Sequence, residues 1–272
     1  MTLRHACSLA FVLAAALSTV PAARAQVALG TASSFAVLGG STVTNTGATA
    51  VTGDLGVSPG SSVTGFPPGT VTGGSIHAAD AVAAQAQSDL TTAYNTAAGT
   101  PCGVDLTGQN LGGLTLTPGV YCFTTSAALT GTLTLNFQGN PNASFLFKIG
   151  STLTTATGSS VVLVNAGSSC GGSVFWQVGS SATLGSGSTL RGNILALTSI
   201  TQTTGSNSTG KLLARNGAVT LDTGSLGGCS VAPISVPPPT VPAVSTWGLV
   251  LLAVALPMVI LGVRRRSAAS GL

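Results

Sequence analysis

A unit made of an apolar strand, a Thr-rich strand and a glycine returns four times in the C-terminal half of this chain, with no helix between the copies. The four lines are FLFKIGSTLTTATGSS from Phe145, VFWQVGSSATLGSGST from Val174, ILALTSITQTTGSN from Ile194 and LLARNGAVTLDTGSL from Leu212. Val174 to Ile194 is 20 residues and Ile194 to Leu212 is 18. A repeat of that length without helices predicts a β-solenoid, in which each coil buries its apolar side by stacking on its neighbours. Stacked coils lie about 4.8 Å apart, so equivalent residues fall into columns. One column is Thr154, Thr183, Thr201 and Thr220; a second is Thr157, Ser186, Thr204 and Thr223; a third, partial one is Ser160, Thr189 and Asn207. Thr is also a good strand former, so such a surface equally fits an inert scaffold or an adhesin.

Composition narrows the choice. Of 272 residues only 5% are charged, and the five acids are all Asp. Runs such as Ser160-Val-Val-Leu-Val-Asn165 can still bury a long thin core. The high pI comes from the chain ends. Between Gln26 and Val241 the cations are Lys148, Lys211, Arg191 and Arg215, against Asp54, Asp80, Asp89, Asp105 and Asp222, which gives 4 − 5 = −1. A near-neutral body without a basic patch excludes nucleic acid as the partner. Solenoid lyases and hydrolases need paired carboxylates or a base with a metal. Scattered Asp and one His after processing do not supply them, so no enzyme, cofactor or metal is expected.

Both termini carry export signals. Arg4 and His5, the apolar stretch Leu9 to Leu17 and Ala23-Arg24-Ala25 read as a signal peptide over residues 1–25. The solenoid domain is expected over 26–230 and a Pro-rich linker over 231–242. In the last segment, 243–272, an uncharged stretch from Trp247 to Val263 precedes Arg264-Arg265-Arg266. That fits a membrane span with a cytoplasmic Arg cluster. Val241-Pro-Ala-Val-Ser-Thr-Trp-Gly248 resembles the Ile-Pro-Thr-Leu type of C-terminal sorting signal in Gram-negative bacteria, which implies transient anchoring in the inner membrane and release or transfer to the cell surface. The mature chain keeps Cys102, Cys122, Cys170 and Cys229, an even number in an exported protein. Three connectivities are open, and sequence neighbours favour Cys102–Cys122 with Cys170–Cys229.

Ahead of the repeats the chain is Gly/Thr/Ser-rich to Gly74, and then the period changes. From His77 to Ala98 there is neither Gly nor Pro, and Ile76, Ala79, Ala83, Ala86, Leu90, Ala93 and Ala97 keep helical spacing with Tyr94 beside them. The spacing predicts one helix, capped by Ser75 and ended by Gly99 and Pro101, lying along the solenoid flank.

The order of short motifs is specific: Leu29-Gly-Thr-Ala-Ser-Ser-Phe-Ala-Val-Leu-Gly39, Thr52-Gly-Asp-Leu-Gly56, the Ala-rich helix, Pro118-Gly-Val-Tyr121, Phe145-Leu-Phe-Lys-Ile149, Val174-Phe-Trp-Gln-Val178, Gly192-Asn-Ile-Leu-Ala196 and Ala214-Arg-Asn-Gly-Ala-Val-Thr-Leu-Asp222. From Val27 to Leu226 the chain resembles the microbial ice-binding protein family. The resemblance implies a mostly β fold: a right-handed, discontinuous β-solenoid of triangular section with one long flanking α-helix, its N-terminal coils completing the C-terminal stack. It implies an ice crystal surface as the partner; a monomer is expected because the chain lacks charge runs and its long apolar stretch is confined to the tail. Family members carry T-A/G-x-T/N motifs on a flat face. Here Thr46-Gly-Ala-Thr49, Thr107-Gly-Gln-Asn110 and Thr204-Gly-Ser-Asn207 match, while Thr157-Gly-Ser-Ser160 and Ser186-Gly-Ser-Thr189 come near and Thr223-Gly-Ser-Leu226 lacks the last position. The expected contact set is therefore Thr46, Thr49, Thr157, Ser160, Ser186, Thr189, Thr204, Asn207 and Thr223, with Thr154, Thr183, Thr201 and Thr220 as a secondary column. A cell-surface adhesin or matrix protein without ice activity is the alternative.

Overall fold

The structure is a computed structural model that describes residues 27–167 and 173–227. The signal peptide, Cys170, Cys229, the Pro-rich linker and the C-terminal apolar stretch lie outside the described residues. Among the described residues three parallel sheets, here a, b and c, wrap around one apolar core, with nine, seven and eight strands respectively.

Sheet a takes the strands that read as apolar runs: Phe35–Gly39, Phe145–Ile149, Val174–Val178, Asn193–Ala196 and Leu212–Ala214 among them. Runs without alternation belong to parallel strands buried on both sides. The inner side forms a register column of Tyr121, Phe147, Trp176, Ile194, Leu212, Val37 and Leu55. Phe147 and Trp176 stack with ring centroids 4.0 Å apart, and Trp176 Nε1 donates to Arg191 O at 3.0 Å. The outer side, with Leu38, Leu146, Phe175, Leu195 and Leu213, is covered by helix α1, Ala81–Gly99, through Ala86, Leu90, Ala93, Tyr94 and Ala97.

The helix starts later than its spacing predicts. Ile76–Ala78 pairs instead with Leu55–Val57 at the edge of sheet a. Ala79 turns with a positive φ of 54°, and Asp80, not Ser75, is the N-cap, accepting from Ala83 N at 2.8 Å. A carboxylate beside the free N–H groups of a first turn outcompetes a periodicity that merely continues upstream.

Sheets b and c have one open side each, and their strands alternate accordingly, as in Leu153–Thr155 and Ala182–Leu184 with only the middle residue exposed. The stack is discontinuous in sequence. Val219–Leu221 of the last coil pairs with Thr42–Asn45 of the first, and Gly224–Gly227 pairs with Thr49–Thr52. The second coil sits beyond the first, and the helix connects it with the far end, where Val104–Asp105 pairs with Gly119–Phe123. There a disulfide joins Cys102 and Cys122, as sequence proximity favours.

Candidate functional site

Five of the b strands are three residues long with one central outward side chain, while Thr42–Asn45 and Ser62–Thr64 each turn two outward, Thr42 with Thr44 and Ser62 with Thr64. One column in register is Asn110, Ala128, Thr154, Thr183, Thr201, Thr220, Thr44 and Thr64. The expected column Thr154, Thr183, Thr201 and Thr220 is its middle. The hydroxyls of these four and of Thr44 bond no protein atom among the described residues, which leaves them to water. Thr44 and Thr64 were not placed in the column from sequence. Their signal is the same alternation, in Thr42-Val-Thr44 and Ser62-Val-Thr64.

The other expected columns lie elsewhere. Thr157, Ser186, Thr204 and Thr223 are exposed in the turns where b passes into c, linked coil to coil by backbone bonds such as Gly158 N to Ser186 O at 2.9 Å and Gly187 N to Thr204 O at 3.1 Å. Ser160, Thr189 and Asn207 are in register on sheet c, continuing to Ser225 and Ala50. The hydroxyls of these columns are largely spent inside the protein. Thr132 Oγ1 and Ser160 Oγ are 3.0 Å apart, and Asn207 Oδ1 accepts from Ser225 N at 3.0 Å and Ser225 Oγ at 2.7 Å. Sheet c also carries Val162, Arg191 and Thr209 as outward neighbours, a mixed row.

Two expected residues need correction. Thr49 is 1% exposed and points inward, donating to Asn45 Oδ1 at 2.6 Å. It pairs with Gly224, one position before the Asn207–Ser225–Ala50 column. Thr46 follows Asn45, the partner of Leu221, and so stands level with Asp222, not Thr223. The motif Thr46-Gly-Ala-Thr49 thus falls one residue early against the motifs around it. The spelling matches while the register does not, and only the strand pairing reveals this.

A family model described as ice-binding-like matches residues 37–226. The chain belongs to the ice-binding-like family. It is 58% identical over 221 residues to an ice-binding protein of Nostoc sp. (strain HG1), covering 81% of each chain. Its fold matches the crystal structure of an ice-binding protein from an Antarctic biological consortium at a TM-score of 0.71 and 48% identity, over 74% of this chain and 90% of the other. It matches that of an ice-binding protein from the Antarctic ascomycete Antarctomyces psychrotrophicus at 0.70 and 41%, over 74% and 97%.

In this member of the family each Asp carboxylate, all five among the described residues, is taken up by local structure. Asp105 accepts from the Thr107 hydroxyl and N–H, Asp89 from the N–H and hydroxyl of Thr31, and Asp80 caps the helix while His77 Nδ1 lies 2.7 Å away. Asp54 accepts from Ser75 N at 2.9 Å. Lys211 is held below its ordinary range by burial, an effect that the charge of Asp54 opposes. Among the described residues no three His, Cys, Asp or Glu side chains gather as metal ligands, and no helix is long and apolar enough to cross a membrane.

Proposed function

We propose that this protein adsorbs to ice through the open side of sheet b. The observation that carries the reading is the central b column: threonines in unbroken register from Thr154 to Thr64, each hydroxyl free for water. Branching at Cβ restrains each side chain, so methyl and hydroxyl stand at fixed positions repeated about every 4.8 Å. A surface of that kind orders water into a lattice-like layer that merges with a crystal plane. Each contact is weak, and preorganisation keeps the entropic cost of engaging many together low. Sheet a is closed by the helix. Sheet c offers Val162 and Arg191 in place of a uniform row.

Export by residues 1–25, transient anchoring by 243–272 and a monomeric solenoid domain belong to the same reading and rest on the sequence. The test places a bulky ring on each open side in turn, as Thr183→Tyr on sheet b and Thr189→Tyr on sheet c. Exposed changes of this kind alter stability by about 0.5 kcal/mol or less. Thermal hysteresis and ice-crystal shaping should collapse for Thr183→Tyr and persist for Thr189→Tyr at equal Tm. The reverse pattern moves the contact to sheet c, and a wild type that leaves ice unshaped favours the adhesin alternative.

A further inference from the structure

Asp222 is the carboxylate that stands on the array itself. It follows Leu221 at the edge where sheet b turns into c, level with Thr203 of the coil before and Thr46 of the first coil, which stacks on this one. A bare charge there would orient water radially, against the order of a crystal. This charge is instead bonded by neighbouring groups at the surface. Oδ2 accepts from Thr204 Oγ1 at 2.6 Å. Oδ1 accepts from Thr223 N at 2.7 Å and Thr223 Oγ1 at 3.3 Å. The Thr46 hydroxyl, on the neighbouring coil, donates instead to Leu221 O at 3.4 Å. The first coil comes so close that a Cβ on Gly47 would lie 2.4 Å from Thr223 Oγ1 and 2.7 Å from Asp222 Oδ1. Three stretches far apart in sequence, 46–47, 204 and 222–223, therefore converge on one carboxylate at the seam between the last coil and the first.

A hydroxyl has one proton to give. Thr204 gives it to Asp222, in a charge-assisted bond stronger than a neutral one. Toward water it then offers only lone pairs, in a fixed direction. We infer that Asp222 is a positioning residue for ice contact: it sets the hydroxyl orientation of Thr204 and Thr223 at the edge where sheet b turns into c. The inference rests on the assignment of sheet b as the contact side. Protonation of Asp222 removes an acceptor and adds a donor, so the pattern should fail in acid. The groups packed against Asp222, namely Thr204, Thr223, Thr46 and Gly47, do not titrate themselves.

The experiment compares wild type, Asp222→Asn, Thr204→Val, their double variant and Thr183→Tyr, by thermal hysteresis from neutral pH down through the carboxylate range, with Tm beside each. Asp222→Asn keeps the shape of the side chain and replaces one acceptor oxygen with a donor. It should lose at least half of the neutral-pH hysteresis with little change in Tm. Thr204→Val should lose a comparable share, and the double variant no more than either single change. Wild type should fall to the Asp222→Asn level on acidification, reversibly, while Asp222→Asn stays flat. Wild-type hysteresis in Asp222→Asn, or the same acid step in both proteins, overturns the inference. An inactive Thr183→Tyr beside a fully active Asp222→Asn removes only the role of Asp222; a fully active Thr183→Tyr removes the contact assignment and this inference together.

Discussion

A residue on this solenoid is defined less by its type than by which way its strand turns it. Thr154 and Thr155 are neighbours in sequence, yet the first faces water and the second is 3% exposed and bonds Ser188 Oγ at 3.3 Å. The same distinction governs the few charges. The carboxylates of Asp80, Asp89, Asp105 and Asp222 sit below the ordinary value of 3.8, owing first to the Ala83 N–H, the Thr31 N–H, the Thr107 hydroxyl and the Thr204 hydroxyl respectively. A depressed folded-state pKa contributes stability that is present above the unfolded value and is lost as pH falls through the folded value. Stability should therefore hold from neutral pH down to just above 3.8 and decline below it, which Tm measured across an acid titration will show. A Tm that rises below pH 3.8 contradicts these assignments.

At the scale of elements, the apolar runs and the alternating strands report how many of their sides are covered. Phe145–Ile149 and Val174–Val178 are apolar but for Lys148 and Gln177, because the helix lies outside and the core inside; Lys148 donates to Thr100 O past the helix end and Gln177 to the Tyr94 hydroxyl on the helix. The helix stripe from Ala83 to Ala97 was legible for the same reason, and so were the strand columns, since parallel coils carry register directly into sequence spacing. The corners were less legible. Ser225 pairs with Asn207 although it lies five residues past Thr220 and Asn207 six past Thr201, so that corner is one residue shorter. Thr46 and Thr49 were misplaced by a motif one position out of phase. Nor could spacing tell that the b and c columns look out from different sheets. Helix and contact side are separate elements, which gives a clear expectation for Leu90→Ala. Leu90 is fully buried between α1 and sheet a, and truncating such a side chain costs about 3 kcal/mol. Denaturant unfolding should register that loss, while thermal hysteresis near 0 °C stays at the wild-type level because sheet b is untouched.

For the whole molecule, stability depends on closing the ring of sequence as well as on stacking. In a simple repeat array each coil adds its own increment. Here the last coil is the platform for the first, through Val219–Val43 and Leu226–Val51. Deleting residues 212–227 should therefore remove more than one coil's share. Circular dichroism of that variant should show no cooperative thermal transition. A sharp transition at a moderately lower temperature would mean that the first two coils can find the Asn193–Ala196 coil by themselves. The pairing of residues so distant in sequence also makes the fold one of high contact order, expected to form slowly.

The flanking helix has a further consequence: it is a ruler. Its 19 residues, at 1.5 Å each, measure about 28 Å, close to six coil spacings of about 4.8 Å. It carries the chain back along the stack from the strand Ile76–Ala78 to the strand Val104–Asp105, which close the two ends of sheet a. The number of threonines on the contact side is thus tied to a length that has no threonine duty of its own. A lineage that gained one more coil in the C-terminal half would have to lengthen this tether as well, by about three helical residues per coil on the same rise and spacing. Growth of the surface is therefore gated by paired insertions at two places in the sequence.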